Sequence, residues 1–346
     1  MKQNKTKKML KILFILASLF SLTFVPWTLV KAWGKPLPDT IQEQLDEALN
    51  YDFEGMIVYI DKAGEKPQSF ASGWHNRESK IPAKTDALYK IASISKLYDA
   101  VAVTKLVSQG RLSLDKTLVD YLPELNGEIE NADKITLRLM IQHKSGIPNF
   151  TDTPKFWENP VRTYEENLAL IKGKPANFEP GEDYEYCNTN YLLINRIMDN
   201  ELGFNNFQFI QEEILNPLNL KNTFSSVSEV NIDDVMSGYH VGYPHDLKTN
   251  DYGMHATAED VGKFIRALND GTVFKNNEQE IYASIYEFEH DGWVPGYQSF
   301  AKYYENIDTV VISFYNTTDR KLLNWNLSQI LNKRIYRIIK KSKNEN

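Results

Sequence analysis

The hydrophobic pattern of this chain changes period several times, and each change marks an element. Lys2, Lys5, Lys7, Lys8 and Lys11 precede an apolar run over residues 12–30, which Pro26 interrupts. Pro36 and Pro38 close this leader. Ile41, Leu45, Ala48 and Leu49 then recur at helical spacing. Residues 55–60 are continuously apolar and predict a buried strand, with residues 68–74 as its antiparallel partner across an Ala63-Gly64 turn. Residues 91–107 predict a helix with Leu97, Val101 and Val107 apolar and Gly110 placed as a stop. From about 113 to 269 the chain is mostly helix and loop, with helices expected over 190–199, 207–215 and 258–268, the last capped by Thr257. Strand pattern returns at 299–304 and 309–315, joined by polar residues 305–308. Leu327, Ile330, Leu331, Ile335 and Ile338 predict a closing helix over 322–340, whose basic end suits the helix dipole. Residues 341–346 read as a disordered tail.

Strands at both ends and helices between them describe an α+β fold. The expected antiparallel sheet combines N- and C-terminal strands, is flanked by helices, and carries a mostly helical second lobe inserted at about 113–269. Residues 33–340 form the body, and the functional site is expected between the lobes.

Charge narrows the function. The net charge is −7, yet the first 32 residues hold six lysines and no acid, so the remainder carries 33 basic against 46 acidic residues. A body this acidic is a poor partner for nucleic acid, which is bound by basic patches that displace counterions. The lysine-led apolar run reads as an export signal with a small-residue cleavage site after Ala32, or as an uncleaved anchor in the membrane through residues 12–30. Either places the body outside the cytoplasm, secreted or held on the outer face of the membrane. With Cys187 as the single cysteine, no internal disulfide is possible. No His-x-His or His-Glu-x-x-His spacing occurs, so neither a metal nor another cofactor is expected.

The candidate chemistry begins at Ser93-Ile94-Ser95-Lys96. Residues three apart at a helix start share a face, so the Lys96 amine can reach the Ser93 hydroxyl, which needs a neighbouring base to attack a carbonyl. Downstream lie His143-Lys144-Ser145-Gly146-Ile147-Pro148, then Tyr186-Cys187-Asn188 after Pro180-Gly181, and then His290-Asp291-Gly292 followed by Pro295-Gly296. In this order and spacing, over roughly residues 50–335, the chain resembles the serine β-lactamase-like superfamily of class C β-lactamases, D-alanyl-D-alanine carboxypeptidases, penicillin-binding proteins and related esterases. Leu112-Ser113-Leu114-Asp115, Pro217-Leu218 and the segment from Gly253 to Asp260 match as well.

The resemblance implies a role for each residue. Ser93 would be the nucleophile of an acyl-enzyme, Lys96 would help deprotonate it, and Tyr186 would relay protons to the leaving group. Asn188 would hold Lys96 and the substrate amide. His290, Asp291 and Gly292 would lie on the substrate-binding strand, with Gly292 letting the substrate backbone approach, and the N–H groups of Ser93 and Trp293 would form the oxyanion hole. Cys187 stands where the family has a small residue and reads as a spacer, and His143 reads as structural. Asp291 replaces the hydroxyl with which the family greets a substrate carboxylate. Facing inward, it would repel a carboxylate and attract an ammonium; facing outward, it would do neither. The expected activity is hydrolysis of D-alanyl groups of the envelope, as a peptidoglycan peptide or as an ester on teichoic acid. Two alternatives are a non-catalytic penicillin- or wall-binding relative and a true β-lactamase.

Overall fold

The computed structural model describes residues 2–158, 163–251 and 253–343. Six strands form an antiparallel sheet: β1 Gly55–Lys62, β2 Gln68–Asn76, β3 Ile81–Pro82, β4 His290–Val294, β5 Tyr297–Tyr304 and β6 Thr309–Tyr315. Their order is β3-β2-β1-β6-β5-β4, so the two ends of the chain meet at the centre and β4 is an edge. At that seam Met56 lies opposite Tyr315 and Lys62 opposite Thr309. Around the sheet and in the second lobe lie α1 Lys2–Ser21, α2 Trp27–Gly34, α3 Ile41–Ala48, α4 Ser95–Ser108, α5 Asn188–Leu202, α6 Ala258–Asp270 and α7 Leu323–Lys343, among shorter turns. The α+β expectation holds.

The central strands are apolar on both faces because both are covered. Met56, Val58, Phe300 and Val311 pack with Leu45 of α3 and Leu327, Leu331 and Ile335 of α7. On the opposite face, Ile57, Tyr59, Val310 and Ile312 share a core with Val261, Phe264 and Ile265 of α6. The segment taken from the sequence as the end of the helical lobe therefore closes on the sheet instead, through α6. Thr257 caps α6, accepting from the Asp260 amide at 3.2 Å.

Every residue from Lys96 to Leu106 of α4 is buried. The helix is enclosed on every side although Lys96, Asp99, Thr104 and Lys105 are polar or charged, and it runs between the sheet and the helical lobe. Gly110, at φ +71°, follows its end, with its amide on the Val107 carbonyl. The helix starts later than the pattern predicts, because residues Ala92–Ile94 make a tighter turn before it.

The shortest strands escaped the periodicity. Tyr89–Lys90, Thr223–Phe224 and His255–Ala256 form a small three-stranded sheet. Two residues are too few to show a period of two. The polar residues 305–308 include a helical turn, Glu305–Ile307. At the other end, α7 continues through Lys343, so residues 341–343 are helical rather than a loose tail, and residues 344–346 lie outside the described residues.

The interior holds one ion pair that ties α4 in place. Lys105 Nζ lies 3.0 Å from Glu278 Oε2, with the side chains 1% and 7% exposed, and also donates to the Val273 carbonyl at 2.9 Å. Removing one partner leaves an uncompensated buried charge. Glu278→Ala should cost about 3–5 kcal/mol in chemical denaturation, and a Lys105→Met/Glu278→Leu pair should recover most of it.

Candidate active site

Ser93 sits in the turn between the small sheet and α4, and Lys96 in the first turn of that helix. Lys96 is 6% exposed. Its Nζ donates to Ser93 Oγ at 3.2 Å and to Asn188 Oδ1 at 3.0 Å. It also lies 5.3 Å from the ring centroids of both Tyr186 and Tyr191. Asn188, the first residue of α5, is oriented by two further bonds: its Nδ2 donates to Thr151 Oγ1 at 3.1 Å, and its amide donates to Asn149 Oδ1 at 3.1 Å. Neither Asn149 nor Thr151 stood out in the sequence, although both follow directly on the His143–Pro148 turn.

The residue before Ser93, Ala92, is held at φ +50°. Such a conformation costs a non-glycine residue roughly 1–2 kcal/mol. The surrounding contacts impose it. Ser299 Oγ of β5 donates to the Ile91 carbonyl at 2.8 Å, and Ile94 is fully buried.

Tyr186 is stacked on His143, with centroids 4.4 Å apart. Its hydroxyl is buried and has no hydrogen-bond partner among the described residues, although the side chain lines the cleft. A buried unsatisfied donor is costly, and a bound substrate would satisfy it. His143 accepts from the Cys187 amide through Nδ1 at 3.0 Å, and Cys187 Sγ bonds the Ile147 carbonyl at 3.2 Å. Burial pushes the Cys187 thiol up. Both residues therefore fasten the Tyr186–Asn188 segment to the His143–Pro148 turn.

His290 completes the inner wall. Its Nδ1 meets the Asp291 carbonyl at 2.6 Å; with the carbonyl as acceptor, Nδ1 carries the proton and Nε2 is left as an acceptor. Burial, with Lys96 adding to it, lowers the His290 pKa to about 4. The ring is thus neutral at neutral pH.

Two substrate-binding expectations need correction. A Cβ on Gly292 would come within 2.5 Å of the Ile91 carbonyl oxygen and 2.3 Å of Ser299 Oγ. The glycine lets the protein's own turn lie against β4, not the substrate. Asp291 lines the cleft, but its carboxylate pairs with Lys302 at 3.0 Å and accepts from Gln329 of α7 at 3.3 Å. Strand alternation puts it on the same side as Phe300, its partner in register, and that side faces α7. The outward alternative is the one observed, and the charge is compensated.

Trp293 is placed differently. Pro295-Gly296 forms a two-residue turn, with Gly296 at φ +87° as such a turn requires. Val294 and Tyr297 flank it as a bonded pair, so Trp293 and Gln298 form the next, non-bonded pair. Accordingly, the Gln298 amide donates to Tyr89 Oη at 3.1 Å instead. The Trp293 N–H is thereby aimed off the sheet edge.

These residues share one cleft of about 970 Å³, lined by Ser93, Lys96, Tyr186, Asn188, His290, Asp291 and Trp293, but not by Gly292. Phe150, Phe156 and Trp157 add an aromatic wall that no sequence motif announced. Lys96 is the one cation among the described lining residues, against the carboxylates of Asp152, Glu185, Asp251 and Asp291. Buried Lys90 tethers the segment carrying Asp251 by donating to the carbonyls of Leu247, at 2.6 Å, and Asn250.

The Beta-lactamase family model matches residues 37–284. The chain belongs to the β-lactamase family. The match stops short of β4, so it covers the Ser93, His143 and Tyr186 segments but not His290–Trp293. Protein flp of Staphylococcus aureus (strain MW2) is 28% identical over 196 residues, 54% of this chain and 39% of that protein. The chain therefore spans well under half the length of that relative. The D-amino acid amidase of Ochrobactrum anthropi SV3, complexed with L-phenylalanine amide, superimposes with a TM-score of 0.77 at 22% identity, covering 91% of this chain and 99% of that one. A penicillin-binding protein from Bacillus halodurans does so with a TM-score of 0.68 at 18% identity, over 83% and 98%. Both show the serine β-lactamase and penicillin-binding-protein fold.

Two outcomes test this arrangement. Gly292→Ala should abolish labelling of Ser93 by an uncharged fluorophosphonate probe while leaving the protein folded by circular dichroism, because the clash displaces the turn that carries Ser93. Burial also lowers His143 to about 3 and His255 to about 4. Unfolded histidines protonate near 6.5, so the unfolded state binds more protons as the pH falls below that value. The stability these two histidines contribute is therefore full above pH 6.5 and lost as the pH falls toward 4 and 3. Thermal melts should show this loss, and His143→Gln should lose less between pH 7 and 5 than the unaltered protein.

Proposed function

We propose that this chain is a serine hydrolase that forms an acyl-enzyme on Ser93 and prefers acyl groups carrying a free ammonium. D-alanyl esters of a wall polymer such as teichoic acid fit first, and D-alanyl peptides of peptidoglycan second. The observation that carries the reading is the Lys96 amine, 3.2 Å from Ser93 Oγ and 3.0 Å from Asn188 Oδ1 in an open cleft. With one proton already given up by the Lys96–Tyr186 pair, the Ser93 proton passes to that vacant position as Oγ bonds the carbonyl carbon. The amides of Ser93 and Trp293 receive the oxyanion. Tyr186 returns a proton to the leaving oxygen or nitrogen as its bond to the carbonyl breaks, and water then attacks the acyl-enzyme by the reverse route.

Charge supports the choice of acyl group. Penicillins and carboxypeptidase substrates bring a carboxylate, and the described lining residues offer it no cation beyond Lys96, which is committed to Ser93 and Asn188. His290 is neutral near pH 7. Asp152, Glu185 and Asp251 have no ion-pair partner within 4 Å among the described residues; Asn149 donates to Asp152, Asn177 to Glu185, and Ser226 and the Gly253 amide to Asp251. A unit pair at about 4 Å in a half-screened site contributes roughly 4 kcal/mol, so the same carboxylates that draw an ammonium in repel a carboxylate. A neighbour of the same fold bears the name D-amino acid amidase, which agrees with an acyl group of this kind. The lysine-led leader agrees with a body delivered outside the cytoplasm, where such wall substrates lie.

Release of D-alanine from D-alanylated teichoic acid, measured beside a D-Ala-D-Ala peptide, tests the reading. Ester release should exceed peptide cleavage, vanish in Ser93→Ala, and drop about 10²–10⁴-fold in Tyr186→Phe. Peptide cleavage without ester release would overturn the ammonium argument. Slow penicillin acylation with turnover of neither substrate would assign the chain to the non-catalytic binders instead.

A further inference from the structure

Helix α2 is built into the folded body. Leu29 packs against the core shared by α3, α7 and the sheet, and Ala32 lies inside it, 1% exposed. Arg334 of α7, itself 4% exposed, closes the junction. Its guanidinium donates to the carbonyls of Ala32 at 3.3 Å, Lys35 at 2.6 Å and Pro36 at 2.8 Å, and to Gln44 Oε1 of α3 at 2.6 Å. Glu47 of α3 lies 3.6 Å from Arg334 and 2.9 Å from Lys35. The last carbonyls of a helix lack intrahelical partners and carry negative partial charge. A planar fork of five donors suits several of them at once.

Ala32 is also the residue after which the sequence offers a cleavage site. A leader discarded on export has no reason to complete the core of the body it leaves. Here the supposed leader supplies a core residue, a packed leucine and an acceptor for a buried cation.

Upstream, the same chain turns apolar side chains outward. Phe14 and Phe24 are each 73% exposed, and Leu13 and Leu19 more than half. Lys7, Lys8 and Lys11 flank this surface on one side; Trp27 and Trp33, 48% and 68% exposed, flank it on the other. Lysines and tryptophans are the residues that mark the two edges of a bilayer. Among the described residues no single helix is long and apolar enough to cross one; residues 7–24 and 27–34 reach that threshold only when taken together, by length and composition, with a 77° bend between them.

We propose that residues 7–34 are retained as a lipid anchor, and that the Arg334 clamp makes this anchor rigid with the body rather than tethered by a linker. Its occupant is a bilayer bearing anionic headgroups, matched by the lysines. The active site would then work at a fixed attitude to the membrane surface. The inference does not depend on the reaction proposed for Ser93.

Intact-mass analysis and fractionation of the full chain expressed in a Gram-positive host test retention. The protein should stay with the membranes through a carbonate wash, with residues 12–30 still attached. A released protein beginning at Trp33 would overturn the proposal. Limited trypsin digestion of the detergent-solubilised chain tests the clamp. Cutting after Lys31 should be at least about tenfold faster in Arg334→Gln, and intermediate in Arg334→Lys, because local opening governs access. Far-ultraviolet circular dichroism should be unchanged in both, which shows that the body remains folded. Equal cutting in all three would show that no clamp exists.

Discussion

One amine organises this molecule. Lys96 is buried on a helix that is enclosed on every side, and a charge there is tolerable only if its donors are used. Ser93 and Asn188 use two of them, and the faces of Tyr186 and Tyr191 lie near the remaining side. Those partners come from the nucleophile turn and from the start of α5, so the amine joins the sheet side to the helical lobe. The strained Ala92 follows from the same demand. The chain must turn abruptly out of the small sheet for Ser93 to reach Lys96, and the β4–β5 hairpin packs against the turn to hold it there.

Much of this was legible in residue spacing. Ser93 and Lys96 lie three apart, and that spacing predicts a shared face, though not the strained turn at Ala92 that completes the contact. The central strands announced themselves by unbroken apolar runs, because helices cover them on both faces. Other features were hidden for physical reasons. Whether Asp291 faces the cleft depends on strand register, and register is set by where the Pro295-Gly296 turn falls. Gly292 advertised a close approach, but the sequence could not say by what; it is the Ile91 carbonyl and Ser299. Trp157 and Asn149 reach the cleft from loops, where no periodicity reports which way a side chain points.

The acidity of the body has a local counterpart. Asp152, Glu185 and Asp251 line the cleft, and Asp291, the one acid the sequence singled out, is the one already paired with a lysine. An ammonium-bearing substrate would therefore be drawn by the whole lining rather than by one side chain. At the other end of the molecule a similar economy appears. Arg334 draws the segment after α2 onto α7, so the N-terminal and C-terminal helices stabilise each other.

The most direct test is to trap the covalent intermediate. Rapid acid quenching during turnover of a D-alanyl ester, followed by peptide mapping in a mass spectrometer, should find one alanyl group on the peptide containing Ser93. The adduct should persist longer when Tyr186 is replaced by phenylalanine, since removal of the acyl group needs the same proton relay. An adduct on any other residue, or turnover that proceeds undiminished in Ser93→Ala, would contradict the account.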